Sequence, residues 1–246
     1  MSQALVLLRS LVFLMLQGAL TVIWSVVSLL TFPFRPFTRY RIITLWSRLV
    51  VWLARVICGV RYQVWGLENL PRQPSIVLAK HQSAWETIAF EVFLPPQVWV
   101  LRRSLLRVPF FGWGLAMMSP IAIDRGAGMQ ALKQMLEQGR ERLAQGFWII
   151  IFPEGTRIAP GQRGRYQIGG AWLAVHTGAP VLPIAHNAGQ LWRKNAFLKF
   201  PGTIIVSIGK PIDPQGLTPE ELNRRVEDWV ETETARLAIP RNMKTA

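Results

Sequence analysis

Apolar and polar positions along the chain fall into three regimes. From Ser10 to Phe34 there is no charged side chain over 25 residues, a stretch that as a helix reaches roughly 37 Å at about 1.5 Å per residue. That is enough for a ~30 Å hydrocarbon core, and the all-round hydrophobicity places the segment in lipid. Pro33 and Pro36 are expected to end it. In the second regime, "RYRIITLWSRLVVWLARVICGV", Arg41, Arg48 and Arg55 recur every seven residues. Seven residues are nearly two helical turns, so the arginines share a stripe while Ile43, Leu45, Leu49, Val51, Leu53 and Val56 supply apolar surface. This predicts a helix lying at a headgroup layer.

The third regime begins after Gly66, where short apolar runs alternate with helical patterns. Residues 75–79, 98–101, 121–123, 147–152, 181–185 and 203–208 read as mostly buried strands. Helical periods cover 86–94, 128–145 and 168–178, and a last helix starts at Thr218, with Pro219 at its first position and Glu221 completing a capping box. Strands alternating with helices predict an α/β domain with a mixed, largely parallel sheet covered on both faces. The division expected is 1–60 for the N-terminal membrane-associated helical pair and 61–246 for the α/β domain.

Charge changes this picture in one respect. The 28 Lys and Arg against 14 acids give a net charge of +14, which calls for an anionic partner. No Asp or Glu precedes Glu68, whereas seven arginines do, and the guanidinium fork matches phosphate. Because much of the excess flanks lipid-seeking segments, and no nucleic-acid recognition motif is present, phospholipid rather than nucleic acid is the expected partner. Basic residues after the first apolar segment put the main domain on the cytoplasmic side of an inner membrane. The single Cys58 excludes an internal disulfide, and with three histidines there is no cluster at metal-ligand spacing.

In α/β sheets the binding crevice lies outside the carboxyl ends of the strands. Three polar clusters fall there: "KHQSAWE", "RRSLLR" and "FPEGTR". His81 is suited to general base chemistry, and a carboxylate on its other ring nitrogen fixes the tautomer. Glu86 is five positions on, about 140° around a straight helix, so the pair needs a bend, which Ser83 offers. Ser83 and Glu86 also form a capping box by themselves, and from these two residues alone both readings stay open. In "FPEGTR", Gly155 permits a tight turn and Arg157 can grip a phosphate with two parallel hydrogen bonds. His176, His186 and the loop at 191–200 are left as structural or solvated.

Taken together, these clusters resemble the membrane-bound glycerolipid acyltransferases, most closely those acting on 1-acyl-sn-glycerol 3-phosphate. The four blocks of that family are matched in order by His81-x4-Glu86, by Arg103-Ser104-Leu105 through Pro109 and Gly112 to Asp124-Arg125, by Phe152 to Arg157, and by Val181-Leu182-Pro183-Ile184. The resemblance implies that His81 is the base for the free glycerol hydroxyl, which attacks the thioester of acyl-CoA or acyl carrier protein, with no cofactor beyond that donor. It further implies that Arg103 and Arg157 hold the phosphate of lysophosphatidic acid, that Glu154, Gly155 and Thr156 shape the acceptor site, and that Pro183 lies near the acyl chain. The family usually carries aspartate at the place of Glu86 and commonly lysine at that of Arg103. Another acceptor within the family, and a non-catalytic phospholipid-binding protein, remain as alternatives.

Overall fold

The computed structural model describes residues 2–238. The chain opens with α1 (Gln3–Leu30), α2 (Pro36–Ile43) and α3 (Leu45–Cys58). The apolar helix therefore starts earlier than its uncharged stretch, with the Ser2 side chain accepting from the Leu5 amide, and ends before Pro33. Pro36 does not merely stop that helix; it occupies the first turn of the next, where a missing N–H costs nothing. The arginine-striped segment is two helices, because Thr44 closes α2 and opens α3. Arg41, Arg48 and Arg55 are all exposed, as the seven-residue spacing predicts.

A seven-stranded sheet follows, built from β1 (Val60–Trp65), β2 (Ile76–Ala79), β3 (Gln97–Arg102), β4 (Ile121–Ile123), β5 (Trp148–Ile151), β6 (Val181–His186) and β7 (Gly202–Ile208) in the order β1-β7-β6-β2-β5-β3-β4. All neighbours are parallel except β6 and β7. The mixed, largely parallel sheet is the one expected. Strand β1 has no continuous apolar run; its cue is the alternation of Val60, Tyr62 and Val64, typical of an edge strand. Helices α4 (Trp85–Phe93), α6 (Met129–Ala144), α7 (Gly169–Thr177) and α8 (Pro219–Arg236) match the periodic segments. An unexpected α5 (Phe111–Met117) contains Gly112 and Gly114, poor helix formers that make the segment read as a loop.

Side-chain alternation along the central strands divides the core in two. Val77, Ile150 and Leu182 point to one face, where they join Phe13 of α1, Val50 and Ala54 of α3, and Phe90 of α4. Ile76, Leu78, Ile149 and Val181 point to the other, against α6, α7 and α8. Helix α7 sits so close to β2 that a Cβ on Gly170 would fall 2.5 Å from Leu78 Cδ2. The capping box of α8 is formed on both sides, Thr218 with the Glu221 amide and Glu221 with the Thr218 amide.

The N-terminal helices are part of this packing. Helix α1 is long and apolar enough to cross a membrane, yet it lies against α3 and α5, burying Val6, Ser10, Phe13, Ser25 and Ser28. The Ser10 hydroxyl accepts from the Lys199 amide at 3.0 Å, and Phe13 meets Trp192 edge to face at 5.2 Å. Its opposite side, including Leu8, Met15 and Leu30, is exposed.

Candidate active site

The carboxyl edge of the sheet is where β2, β5 and β3 release their chains. After Ala79, residues 80–84 cross this edge before α4 begins, so the ring of His81 can swing back toward the first turn. There His81 Nδ1 lies 2.9 Å from Glu86 Oε1. The same oxygen accepts the amides of Gln82 at 2.9 Å and Ser83 at 2.7 Å, while Ser83 Oγ accepts from the Trp85 amide at 3.1 Å. Glu86 thus holds the imidazole and the incoming main chain with one atom, but the expected capping box is not closed: Ala84 is the N-cap of α4 without a side-chain cap bond, and Ser83 Oγ reaches the Trp85 amide instead of that of Glu86.

Glu86 is fully buried. Burial opposes its ionisation, but the imidazoles of His186 and His81 and the Ser83 amide outweigh that and hold the carboxyl below its ordinary value. An anionic acceptor assigns the proton to Nδ1 and leaves Nε2 as the basic nitrogen. The imidazole lies flat on Phe152, ring centroids 3.9 Å apart, which fixes its plane. The main chain is held as firmly, the His81 amide donating to Glu154 Oε2 and its carbonyl accepting from Ile158, both at 2.8 Å.

The turn after β5 brings Glu154 and Gly155 to one cavity that His81 also lines. Gly155 has φ +67°, a conformation open to glycine, and its amide closes the turn onto the Phe152 carbonyl at 3.0 Å. Glu154 turns inward, its Oε1 2.6 Å from Lys80 Nζ. Burial pushes this carboxyl up, and the Lys80 ammonium and the His81 amide pull it back only in part. Lys80 is fully buried and also reaches Glu231 Oε1 of α8 at 2.7 Å. Neither Lys80 nor Glu231 is singled out by the sequence pattern.

A chamber of about 770 Å³ opens beside His81 and is walled by Trp24, Ser25 and Ser28 of α1, Ile88 and Glu91 of α4, and Leu115 of α5. Its rim includes Phe152, Gly155 and Arg157, so the imidazole and the guanidinium face one space although 76 positions separate them. The Nε of Arg157 is buried without a hydrogen-bond partner. Lys194, from the loop left unassigned, bonds the Arg157 carbonyl at 2.8 Å and reaches the exposed Thr156 hydroxyl at 3.5 Å. A second cavity of about 480 Å³ lies toward α6 and α7, sharing His81, Phe152 and Gly155 with the first and touching Thr156.

Two assigned positions fall elsewhere. Arg103 is exposed at the start of a 3-10 turn and does not line the chamber; its neighbour Arg102 does. Pro183 projects with Val181 and Ala185 to the α7 and α8 face, where a Cβ on Gly209 would come within 2.8 Å of its ring. That is the side of the sheet away from the larger chamber. His186 is buried, donates from Nε2 to the Lys80 carbonyl at 2.8 Å and accepts the Ala188 amide at Nδ1, two bonds that make it a strut between strands; burial pushes its pKa down. Among the described residues no group of three His, Cys, Asp or Glu is arranged to hold a metal ion.

Known proteins resemble the chain in sequence and in fold. A family model described as Acyltransferase matches residues 61–187. The 1-acyl-sn-glycerol-3-phosphate acyltransferase of Pseudomonas aeruginosa is 49% identical over 236 residues, covering 94% of this chain and 92% of that protein. The alpha form of the enzyme from Mus musculus is 30% identical, covering 71% of this chain and 63% of its own length. Among solved structures, the 1-acyl-sn-glycerophosphate (LPA) acyltransferase PlsC of Thermotoga maritima aligns with a TM-score of 0.77 at 26% identity, over 94% of this chain and 95% of that one.

Proposed function

The chain belongs to the acyltransferase family, and from that premise we propose that it moves a fatty acyl group from acyl-CoA or acyl carrier protein to the free sn-2 hydroxyl of 1-acyl-sn-glycerol 3-phosphate, giving phosphatidic acid. The observation that carries this reading is the shared chamber, which His81 and Arg157 both line. A lysolipid in this chamber can offer its phosphate to Arg157 and its free hydroxyl to the base within the same space.

In this mechanism Nε2 of His81 takes the hydroxyl proton as the oxygen attacks the thioester carbonyl. Glu86, already ionised and bonded to Nδ1, stabilises the imidazolium that forms. Collapse of the tetrahedral intermediate breaks the carbon–sulfur bond, and the departing thiolate takes the proton back from Nε2. Holding hydroxyl and thioester in line supplies much of the acceleration by removing translational and rotational freedom. Arg157 and, at the exposed edge, Lys194 and Thr156 offer the phosphate charged and hydroxyl donors.

The seating in the membrane follows from α1. Because one side of this helix is fastened along the α/β domain, crossing the bilayer would drag the domain into hydrocarbon. The helix instead lies with its exposed leucines in one leaflet of the inner membrane, the arginine stripe at the headgroups and the domain in the cytoplasm.

Purified protein in mixed micelles is expected to esterify lysophosphatidic acid from labelled acyl-CoA in preference to glycerol 3-phosphate or lysophosphatidylcholine, and His81→Ala is expected to lower the rate roughly a thousandfold. Full activity in His81→Ala would remove the imidazole from the reaction. A preference for an acceptor without phosphate would remove Arg157 from recognition.

A further inference from the structure

Lys80 has no task in the acyl-transfer scheme, yet every polar atom it owns is engaged. Its amide donates to the Ile184 carbonyl at 3.0 Å, its carbonyl accepts from His186, and its ammonium lies between Glu154 at 2.6 Å and Glu231 at 2.7 Å with the Gln162 carbonyl at 3.5 Å. The side chain is wholly buried. Glu231, 151 positions further along, is itself tied down, its Oε1 also accepting the Tyr166 hydroxyl at 2.9 Å.

Buried ion clusters of this kind add little net stability compared with apolar side chains of similar volume, because desolvation cancels most of the attraction. What they do supply is a fixed geometry. The other acids of this stretch of α8 pair with arginines, Glu227 and Asp228 with Arg163 and Glu233 with Arg236. Glu231 alone among them points under the catalytic edge. From it a continuous chain of short contacts runs to Lys80, to Glu154 and to the His81 amide, and each link is 2.8 Å or less.

We propose that Glu231 and Tyr166 are positioning residues for acyl transfer, bracing Lys80 and through it Glu154 and the His81 main chain, so that α8 sets where the imidazole stands beneath the chamber. The proposal rests on the acyl-transfer reading for what the imidazole does there, but not for the brace itself. It separates two kinds of acid around His81: those that touch its chemistry and those that hold its backbone still.

Full-length protein in lipid micelles provides the test, with Glu231→Ala, Glu231→Gln and Tyr166→Phe compared by steady-state kinetics and by amide hydrogen exchange. Glu231→Ala is expected to lower kcat about tenfold while leaving KM for both substrates within about twofold, since a misplaced base slows the chemical step without disturbing binding. Amide exchange over residues 80–83 should accelerate about tenfold in that variant while α6 and β7 stay unchanged. Glu231→Gln, which keeps an oxygen for Lys80 and Tyr166, should recover kcat to within about threefold of the parent. Tyr166→Phe should show the same exchange pattern more weakly, and it serves if Glu231→Ala fails to fold. Unchanged exchange at 80–83, or acceleration spread evenly over the chain, would overturn the brace. Exchange reads the brace whatever the acceptor, so an inactive parent would count against the acyl-transfer reading alone.

Discussion

Glu86 and Glu154 both hold His81, one by its ring and the other by its amide, and their surroundings push the two carboxyls in opposite directions. Glu86 has no lysine or arginine bonded to it; its Oε1 gathers the His81 ring and two backbone N–H groups, and against the cost of burial the nearby His186 imidazole, with His81 and the Ser83 amide, lowers its pKa. Glu154 has an ammonium at 2.6 Å, but that ammonium is shared with Glu231, whose negative charge joins burial in keeping the Glu154 pKa raised. A formal cation nearby is therefore a poor guide to which carboxylate is the anionic one. The sum of nearby charges and donors, set against burial and the acids competing for them, decides it.

Replacing these acids tests the contrast in descending order of effect. Glu86→Gln keeps an oxygen for the Ser83 and Gln82 amides and removes the charge opposite the imidazolium. Its kcat is expected to fall roughly a thousandfold with a thermal midpoint close to the parent's. Turnover equal to the parent would leave Glu86 as a structural acceptor for the turn that leads into α4. Glu154→Gln still offers the His81 amide an acceptor but loosens Lys80, so a smaller fall in kcat, roughly thirtyfold, is expected. If it matched Glu86→Gln, the division between ring and backbone would dissolve.

A third acid sharpens the comparison from the stability side. Glu91, on the chamber wall, is bonded by the Ser47 hydroxyl and by Trp99 Nε1, and burial, only partly offset by these two donors, pushes its pKa up to about 7. A carboxyl raised in the folded state contributes stability that is fully present below its unfolded value of about 4.5 and is lost as pH rises through about 7. Glu91→Gln abolishes that loss. Its melting temperature should exceed the parent's by about 5 °C at about pH 8 and equal it at about pH 4, with little change in kcat. A gain present equally at both pH values would mean Glu91 is not the group that titrates.

Much of this was legible in the residues. Six of the seven strands announced themselves because a parallel sheet buried on both faces demands unbroken apolar runs, and "WIII" at β5 is all but incapable of being a surface segment; β1, alternating at the edge, did not. The capping box at Thr218 was visible for the same local reason, whereas the one expected at Ser83 is not formed, because α4 begins one residue later. What escaped depends on distant partners. Lys80 reads as a surface residue because nothing nearby in sequence reveals that Glu231 waits 151 positions away. The choice between Arg102 and Arg103 turns on where β3 gives way to a 3-10 turn, a boundary one residue wide. Pro183 carried its motif but not its direction, since the two faces of a strand buried on both sides look alike in sequence.

One consequence of α1 forming a wall of the chamber concerns how the protein can be handled. Trimming residues 1–60 to obtain a soluble fragment would strip Trp24, Ser25 and Ser28 from the substrate space and uncover the apolar floor beneath Phe13. Grafting on an unrelated transmembrane segment would restore attachment without rebuilding that surface. Anchor and enzyme are one piece of architecture, and removing the first dismantles the second.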